Sequence, residues 1–553
     1  MLLIQTVLDW YSRTVGEPAI QTESYQGHEA LLSADSVRYV GGLAARGGAE
    51  EPRRALQFFH GYLASEHLSR GLARFGDEVH NAELRATVTL PSQPGPIAYK
   101  QLDVLAADEK DAGRRAAIET ARAQVWRDVL NPILEKKEAE AQRLARGLGY
   151  RSYVALAEDV RRVDLRALIS ECARFRVATE ATYLKLLDEV ARRELGVPGQ
   201  SLRRADLARV RKGPSFERFF PKEVQVPALR HFLAGIGLDL RTLAGTQIVI
   251  DDALHEKKEH RAACFPVRVP ADVRVSVKPT GGVDDMTTLF HEGGHALHAA
   301  NTSTPVWELQ MLGPYTLTEA LAETFRFAWD DPRWLRRYRD FVRAFNQEKK
   351  AATVNRGAEA ALATVNRGAE AVLATVNRGA EATLAIPLMS DADIDAFVRL
   401  RVFDQLYYLR RYGSAKLVYE AVLHGGDPAL YRGVHDGQTS DLKALYRDLF
   451  ARAYGFPLTE EDALRYRTDV DDLFYSADYT RAFALANLIH EGLRQRFGDD
   501  WYGKREVGAL LKGALFADGN RLQPDEVARL FDMKSLTLTP TEARLARLLG
   551  PKR

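Results

Sequence analysis

Histidine is scarce in this chain, 13 among 553 residues. The segment Thr287-Thr-Leu-Phe-His291-Glu292-Gly-Gly-His295-Ala-Leu-His298 nevertheless sets His291 and His295 four positions apart. On a helix, positions i and i+4 share a face, so both imidazoles can converge on one metal ion. Glu292 follows the first histidine, where its carboxylate can reach a water held by that ion. This is the His-Glu-x-x-His pattern of zinc hydrolases. Met286, Leu289, Phe290, Ala296 and Leu297 flank the pair with an apolar stripe and predict a buried helix. Gly293 and Gly294 are poor helix formers in the middle of it. They suit a helix approached closely by substrate or by another backbone. The competing reading is two histidines and a glutamate satisfied in an ordinary core.

Catalytic zinc takes three protein ligands and keeps a fourth position open. The third ligand is expected from a second helix nearby. After the turn Asn301-Thr-Ser-Thr-Pro305 the chain re-enters helix at Thr316-Leu-Thr-Glu319-Ala-Leu-Ala-Glu323. Glu319 is assigned to the metal. Glu323, one turn on, is assigned to the hydrogen bond that fixes a ligand histidine's tautomer, and the two could exchange roles. Thr316-x-x-Glu319 is also a capping-box pattern, which competes for Glu319. A second cluster, His255-Glu-Lys-Lys-Glu-His260, spaces its histidines i, i+5, off a common helix face, and reads as solvated surface. One zinc per chain would lower the pKa of its water towards about 7, with Glu292 as general base and then proton donor to the leaving amine. A structural zinc would want closely spaced cysteines, and Cys172 and Cys264 are not so placed.

The elements that must position these residues read mainly as helix. Apolar residues at 46% and charged residues at 27% describe an ordinary globular chain, long enough for a sizeable core. No apolar run approaches the roughly 20 residues of a membrane span. Charge is nearly balanced, 77 Lys+Arg against 75 Asp+Glu, which gives no electrostatic reason to expect nucleic acid or an anionic membrane as partner. Two distant cysteines suit a reducing compartment, and Met1–Asp9 lacks a basic n-region, so a cytoplasmic protein is expected. Asp111–Leu195 shows helical periodicity, as in Val160, Leu165, Leu168, Ile169 and Cys172, with Gly147, Gly149 and Gly196 marking ends. The chain up to Lys110 also looks largely helical apart from a hairpin, Ala86–Leu90 with Ile97–Gln101, joined through Pro91-Ser-Gln-Pro-Gly-Pro96. Gln247–Ile250, Phe265–Val269 and Val273–Val277 read as a small β-sheet. It is followed by a turn with an acidic cap, Thr280–Met286, just before the histidine helix. Val-Asn-Arg-Gly-Ala-Glu-Ala recurs at 354–360, 365–371 and 376–382, a period of three helical turns that reads as a duplication tolerated on the surface.

Thr288-Leu-Phe-His-Glu-Gly-Gly-His-Ala-Leu-His298 closely resembles the active-site helix of the thimet oligopeptidase and oligoendopeptidase F family of zinc peptidases. Glu319 matches the position of that family's third ligand. The resemblance implies that Val273–Val277, centred on Val275, is an edge strand on which an extended peptide is laid. Asp472-Leu-Phe-Tyr475-Ser-Ala-Asp-Tyr479-Thr-Arg481 resembles the family's tyrosine-rich segment. By that resemblance Tyr479 and Tyr475 donate to the oxyanion and hold substrate, with Arg481 as a further substrate contact. Aromatic core packing at i, i+4 is the competing reading of the tyrosines. Where the family has a histidine shortly before them, this chain has Asp469, Asp471 and Asp472. Arg114–Tyr153 reads like the family's N-terminal helices.

The resemblance implies a mainly α, two-lobed helical peptidase with a deep channel and a small β-sheet beside the active-site helix. Residues 1–200 would form the N-terminal helical lobe. Residues 201–553 would form the catalytic region, with the zinc site and a C-terminal helical lobe carrying the repeats at 351–384. The expected function is hydrolysis of internal bonds in short peptides. The alternatives are a zinc carboxypeptidase of similar helical fold, which would need a basic group for the substrate's terminal carboxylate, and a non-catalytic peptide-binding relative.

Overall fold

A computed structural model describes residues 1–15, 21–91, 95–254, 258–259, 261–365, 385–432 and 441–550. The helices that matter for the site are α1 (Leu2–Val15), α2 (Glu50–Arg85), α3 (Tyr153–Arg161), α4 (Gln225–Gly235), α5 (Val283–Ala300), α6 (Thr316–Arg326) and α7 (Tyr475–Phe497). The Asp111–Leu195 stretch is helical as its periodicity predicts, broken after Gly147 and Arg161 and ended by Gly196 in the left-handed region. Ser152 caps α3, its hydroxyl accepting from the Ala155 amide, which satisfies one of the helix's orphan donors.

One hydrophobic core runs through the whole chain. It joins Leu68, Ile169 and Leu187 from the N-terminal part to Leu229, Phe290, Leu321, Phe403 and Leu488 from the rest. A satellite cluster around Trp126 lies under a minimal hairpin of β1 (Thr87–Val88) and β2 (Ile97–Ala98). Part of the predicted Pro-rich turn, 92–94, lies outside the described residues. So do His255 and His260 of the second histidine cluster. A helix from Pro332 to Val365 runs through the first heptapeptide copy to the first residue of the second; residues 366–384, with the rest of the second copy and the third, lie outside the described residues. Among the described residues no helix is long and apolar enough to cross a membrane.

The small sheet has three strands, β3 (Val249–Asp251), β4 (Ala263–Arg268) and β5 (Asp272–Ser276), in the order β3-β5-β4. β5 pairs with β3 in parallel and with β4 antiparallel. This corrects the expectation for Val273–Val277. β5 is the central strand with both edges taken, and Val275 is 1% exposed in the core. Among the described residues β3 and β4 are the edge strands, and β4 is the one whose residues line the cleft described below. The alternation of β5 turns Val273 and Val275 to the core face, but it does not set the lateral position, which comes from the partners on both sides.

Candidate active site

Helix α5 starts where the Asp285 carboxylate accepts the backbone amides of Thr280 (2.6 Å) and Gly281 (2.9 Å), so the predicted acidic turn is formed by this one side chain. Its apolar stripe is buried. Phe290 packs against Trp329 and Phe232, with ring centroids 4.9 and 5.3 Å away. The two glycines have different surroundings. A Cβ on Gly294 would lie 2.6 Å from Ala322 Cα and 3.1 Å from the Leu321 carbonyl, so α6 crosses α5 at backbone contact there. A Cβ on Gly293 would meet only the Leu229 side chain of α4, at 3.3 Å. The close crossing at Gly294 lets a glutamate on α6 reach histidines on α5.

His291, His295 and Glu319 form a group of potential ligand atoms all within 4.8 Å of one another. Nε2 of His291 lies 3.2 Å from Nε2 of His295. Glu319 Oε2 lies 3.4 Å from the first and 3.7 Å from the second. Zinc–ligand bonds of about 2.05 Å in a tetrahedron require ligand–ligand edges of about 3.3–3.4 Å, close to this triangle. Glu319 Oε2 is buried without a well-formed hydrogen bond, and what faces it is two imidazole nitrogens. The donor set therefore fits zinc. His298, the third histidine of the segment, is turned away and donates to the Gly519 carbonyl at 3.1 Å.

The three ligand candidates are themselves held. Glu323 Oε1 lies 3.2 Å from Nδ1 of His291, and Arg326 in turn donates to Glu323 at 3.2 and 3.3 Å. Nδ1 of His295 meets the Thr318 hydroxyl at 2.9 Å. The Tyr475 hydroxyl donates to Glu319 Oε1 at 2.6 Å, leaving Oε2 for the histidine side. Thr316 makes no capping box with Glu319; its hydroxyl donates to Asp478 of α7 at 2.5 Å. Burial would push the His291 imidazole down, but the Glu323 carboxylate, then Glu319 and Glu292, outweigh it and raise it to about 10. Burial pushes Glu319 up, and His295 and His291 overcome it and hold the carboxylate well below its usual range. The cluster is built to hold positive charge, which a divalent ion would supply in place of a proton.

The tyrosines enter through a strained turn. Leu473 (φ 51°) and Phe474 (φ 54°) both sit in the left-handed region just before α7. α3 holds them there. The Tyr153 hydroxyl accepts the Leu473 amide at 2.6 Å, and Arg161 donates to the carbonyls of Leu473 (2.9 Å) and Asp472 (3.3 Å). Arg161 also pairs with the fully buried Asp478 at 3.1 Å and lies over the rings of Tyr475 and Tyr315. Tyr479 stacks edge-on against Tyr475, with centroids 4.8 Å apart. Its hydroxyl has no hydrogen-bond partner among the described residues.

These groups line one cleft of about 780 Å³. Glu292, His291, His295, Glu319, Tyr475 and Tyr479 line it together with Leu2, Gln5, Tyr62 and Glu66 of α1 and α2. Residues 261–266 all line the cleft, although side chains along a strand alternate between faces, so β4 presents its edge to it. Arg481 is a correction. It lines a separate depression with Gln523 and Asp525 and donates to the Arg161 carbonyl at 3.2 Å. The cation over the Tyr475 and Tyr315 rings is Arg161. The three acids before the tyrosines are spent on ion pairs: Asp469 with Arg411, Asp471 with Lys416, and Asp472 with Lys137. Sequence reasoning missed Thr318, Tyr315, Arg161 and Arg261. The breaker Gly313-Pro314 just ahead of Tyr315 signalled a turn at the cleft, whereas nothing local marked the arginines.

No sequence-family profile matches the chain, and no curated protein matches it. Its fold is similar to that of a crystal structure of a provisionally designated oligoendopeptidase F from Bacillus anthracis str. Ames. The TM-score is 0.61 at 12% identity, over 99% of this chain and 87% of that one. At that identity the likeness is one of fold.

Proposed function

We propose that this chain is a zinc peptidase of the thimet oligopeptidase and oligoendopeptidase F family that cuts internal bonds of short peptides. The observation that carries this reading is the His291–His295–Glu319 triangle, with edges of 3.2 to 3.7 Å, opening beside Glu292 into a peptide-sized cleft. The fold likeness supports the peptidase class. His291, His295 and Glu319 would hold the ion, oriented by Glu323, Thr318 and Tyr475. Bound zinc supplies Lewis acidity, polarising the scissile carbonyl and lowering the pKa of a water.

The chain's own residues do the rest. The free edge of β4 offers backbone donors and acceptors to an extended substrate, with Pro266 lacking one donor. Glu292 takes the proton from the attacking water and delivers it to the leaving amine nitrogen. Tyr479, with its hydroxyl uncommitted, donates to the developing oxyanion, while Tyr475 is engaged with Glu319. Residues of α1 and α2 line the same cleft, and a site set inside a cleft of this size favours short, unfolded substrates. The test is hydrolysis of quenched peptides of mixed sequence by wild type and Glu292→Gln, with products read by mass spectrometry. Cleavage by wild type alone, with zinc bound to both proteins, is expected. Equal cleavage by both would show that the named site is wrong.

A further inference from the structure

Four guanidinium groups line the cleft, those of Arg13, Arg161, Arg162 and Arg261. Arg13 is paired with Asp9 and Glu259. Arg161 is paired with Asp478 and bound to two carbonyls. Arg162 lies towards the second depression, where Arg54 and Arg53 repel it. Arg261 differs from all three. It is exposed, stands two residues ahead of β4, and forms no hydrogen bond or ion pair among the described residues. Partial burial works against its charge, and the groups that support it are Tyr479 first, then Glu292, Tyr412 and Glu259, the last already paired with Arg13. It therefore faces the tyrosine and general-base side of the cleft.

A guanidinium presents a planar fork of donors that matches a carboxylate. Within the cleft no carboxylate of the described residues takes that fork. A peptide paired along the free edge of β4 would pass Arg261, or end at it, as it leaves the strand next to Glu292. We infer that Arg261 is a specificity-determining residue that binds a carboxylate of the peptide substrate, either the chain's terminal carboxylate or an Asp or Glu side chain. The inference rests on the peptidase reading above and adds the substrate class to it.

The test uses one short neutral peptide sequence in two series. In the first, the C-terminus is a free acid or an amide. In the second, the amidated peptide carries a single Asp or Glu, or the matched Asn or Gln, at successive positions. Wild type is expected to favour a carboxylate-bearing member by about tenfold or more in kcat/KM, chiefly through KM. In Arg261→Gln that ratio should fall to near one, and Arg261→Lys should keep part of it, retaining the charge without the fork. A free-acid preference identifies the terminus as the source and predicts loss of C-terminal pieces; an Asp or Glu preference identifies the side chain and predicts internal cuts. Ratios near one in wild type, or a preference that survives Arg261→Gln, overturn the assignment. Calorimetry of the same pairs on Glu292→Gln, with and without Arg261→Gln, decides the point independently of turnover. Should no peptide be cleaved, the peptidase reading fails, while carboxylate-dependent binding that needs Arg261 would still uphold this one and its absence would overturn it.

Discussion

Replacing Gly294 with alanine tests how the site is assembled. The new Cβ would lie 2.6 Å from Ala322 Cα and 3.1 Å from the Leu321 carbonyl oxygen, both backbone atoms of α6. Carbon atoms in contact prefer about 3.5–4.0 Å, so the two helices must separate by roughly 1 Å at the crossing. Zinc tolerates ligand displacements of only about 0.2 Å. Glu319 sits on α6 and both histidines on α5, so the separation opens the ligand triangle directly. Overpacking of this kind costs about 1–3 kcal/mol, which at the metal corresponds to roughly tenfold to a hundredfold weaker binding. Gly293→Ala is the internal control. Its Cβ meets only a leucine side chain at 3.3 Å, and alanine in a helix interior gains up to about 1 kcal/mol over glycine. The measurements are zinc affinity by chelator competition and the thermal unfolding midpoint. Gly294→Ala should lose both affinity and stability, and Gly293→Ala should keep its affinity. Equal zinc affinity in wild type and Gly294→Ala would refute the claim that a backbone contact sets the ligand geometry.

Three further outcomes are expected. Tyr475→Phe removes a 2.6 Å hydrogen bond to Glu319 and should weaken zinc by about tenfold, whereas Tyr479→Phe should leave zinc bound and lower kcat by about a hundredfold; titration and single-turnover rates separate them. Asp478→Ala leaves the Arg161 charge buried without its partner and should destabilise the fold by about 3–5 kcal/mol, read as a shift in the denaturant midpoint. Burial pushes His424 down to about 4, outweighing the pull of Asp472. The unfolded chain protonates this side chain near pH 6.5 and the folded one does not, so stability is full above that pH. It should fall by about 3 kcal/mol as the pH drops towards 4. His424→Leu should flatten that slope in melting curves taken between pH 7 and 4.5, and an unchanged slope would assign the acid lability to other groups.

The histidine pair was legible in the sequence because helical geometry is local: the positions of His291 and His295 fix their separation wherever the helix lies. Glu319 and Glu323 could be placed on one helix face for the same reason, although only the fold shows which atom each one meets. Strand order was not legible. Val273–Val277 is marked as a strand by its β-branched residues, but whether a strand lies at the edge or the centre depends on partners outside it in the sequence. Here the partners are Val249–Asp251 and Ala263–Arg268. The same limit moved the cleft arginine from Arg481 to Arg161. Arg481 shares a helix with Tyr475 but points behind it, while Arg161 comes from α3, in the distant N-terminal part of the chain. The Arg261 side chain carried no signal, because an unpaired cation is recognisable only once its surroundings are known.

The left-handed turn at Leu473 and Phe474 bears on how the molecule can be divided. Every proposed zinc ligand lies well after α3, so a fragment beginning at Ser201 would contain the complete ligand set. It would lack Tyr153 and Arg161, which supply the hydrogen bonds that hold the turn and the counter-charge to Asp478. Two disfavoured backbone conformations, of order 1–3 kcal/mol each, would then have nothing to oppose their relaxation. Tyr475, first on the helix that follows, would swing away from Glu319. Such a truncated form would also expose the core that Leu68, Ile169 and Leu187 share with Leu229 and Leu488, so it would carry the ligand residues without the packing that arranges them. The early part of the polypeptide contributes no ligand, yet it acts as the clamp that keeps the late part in a productive shape.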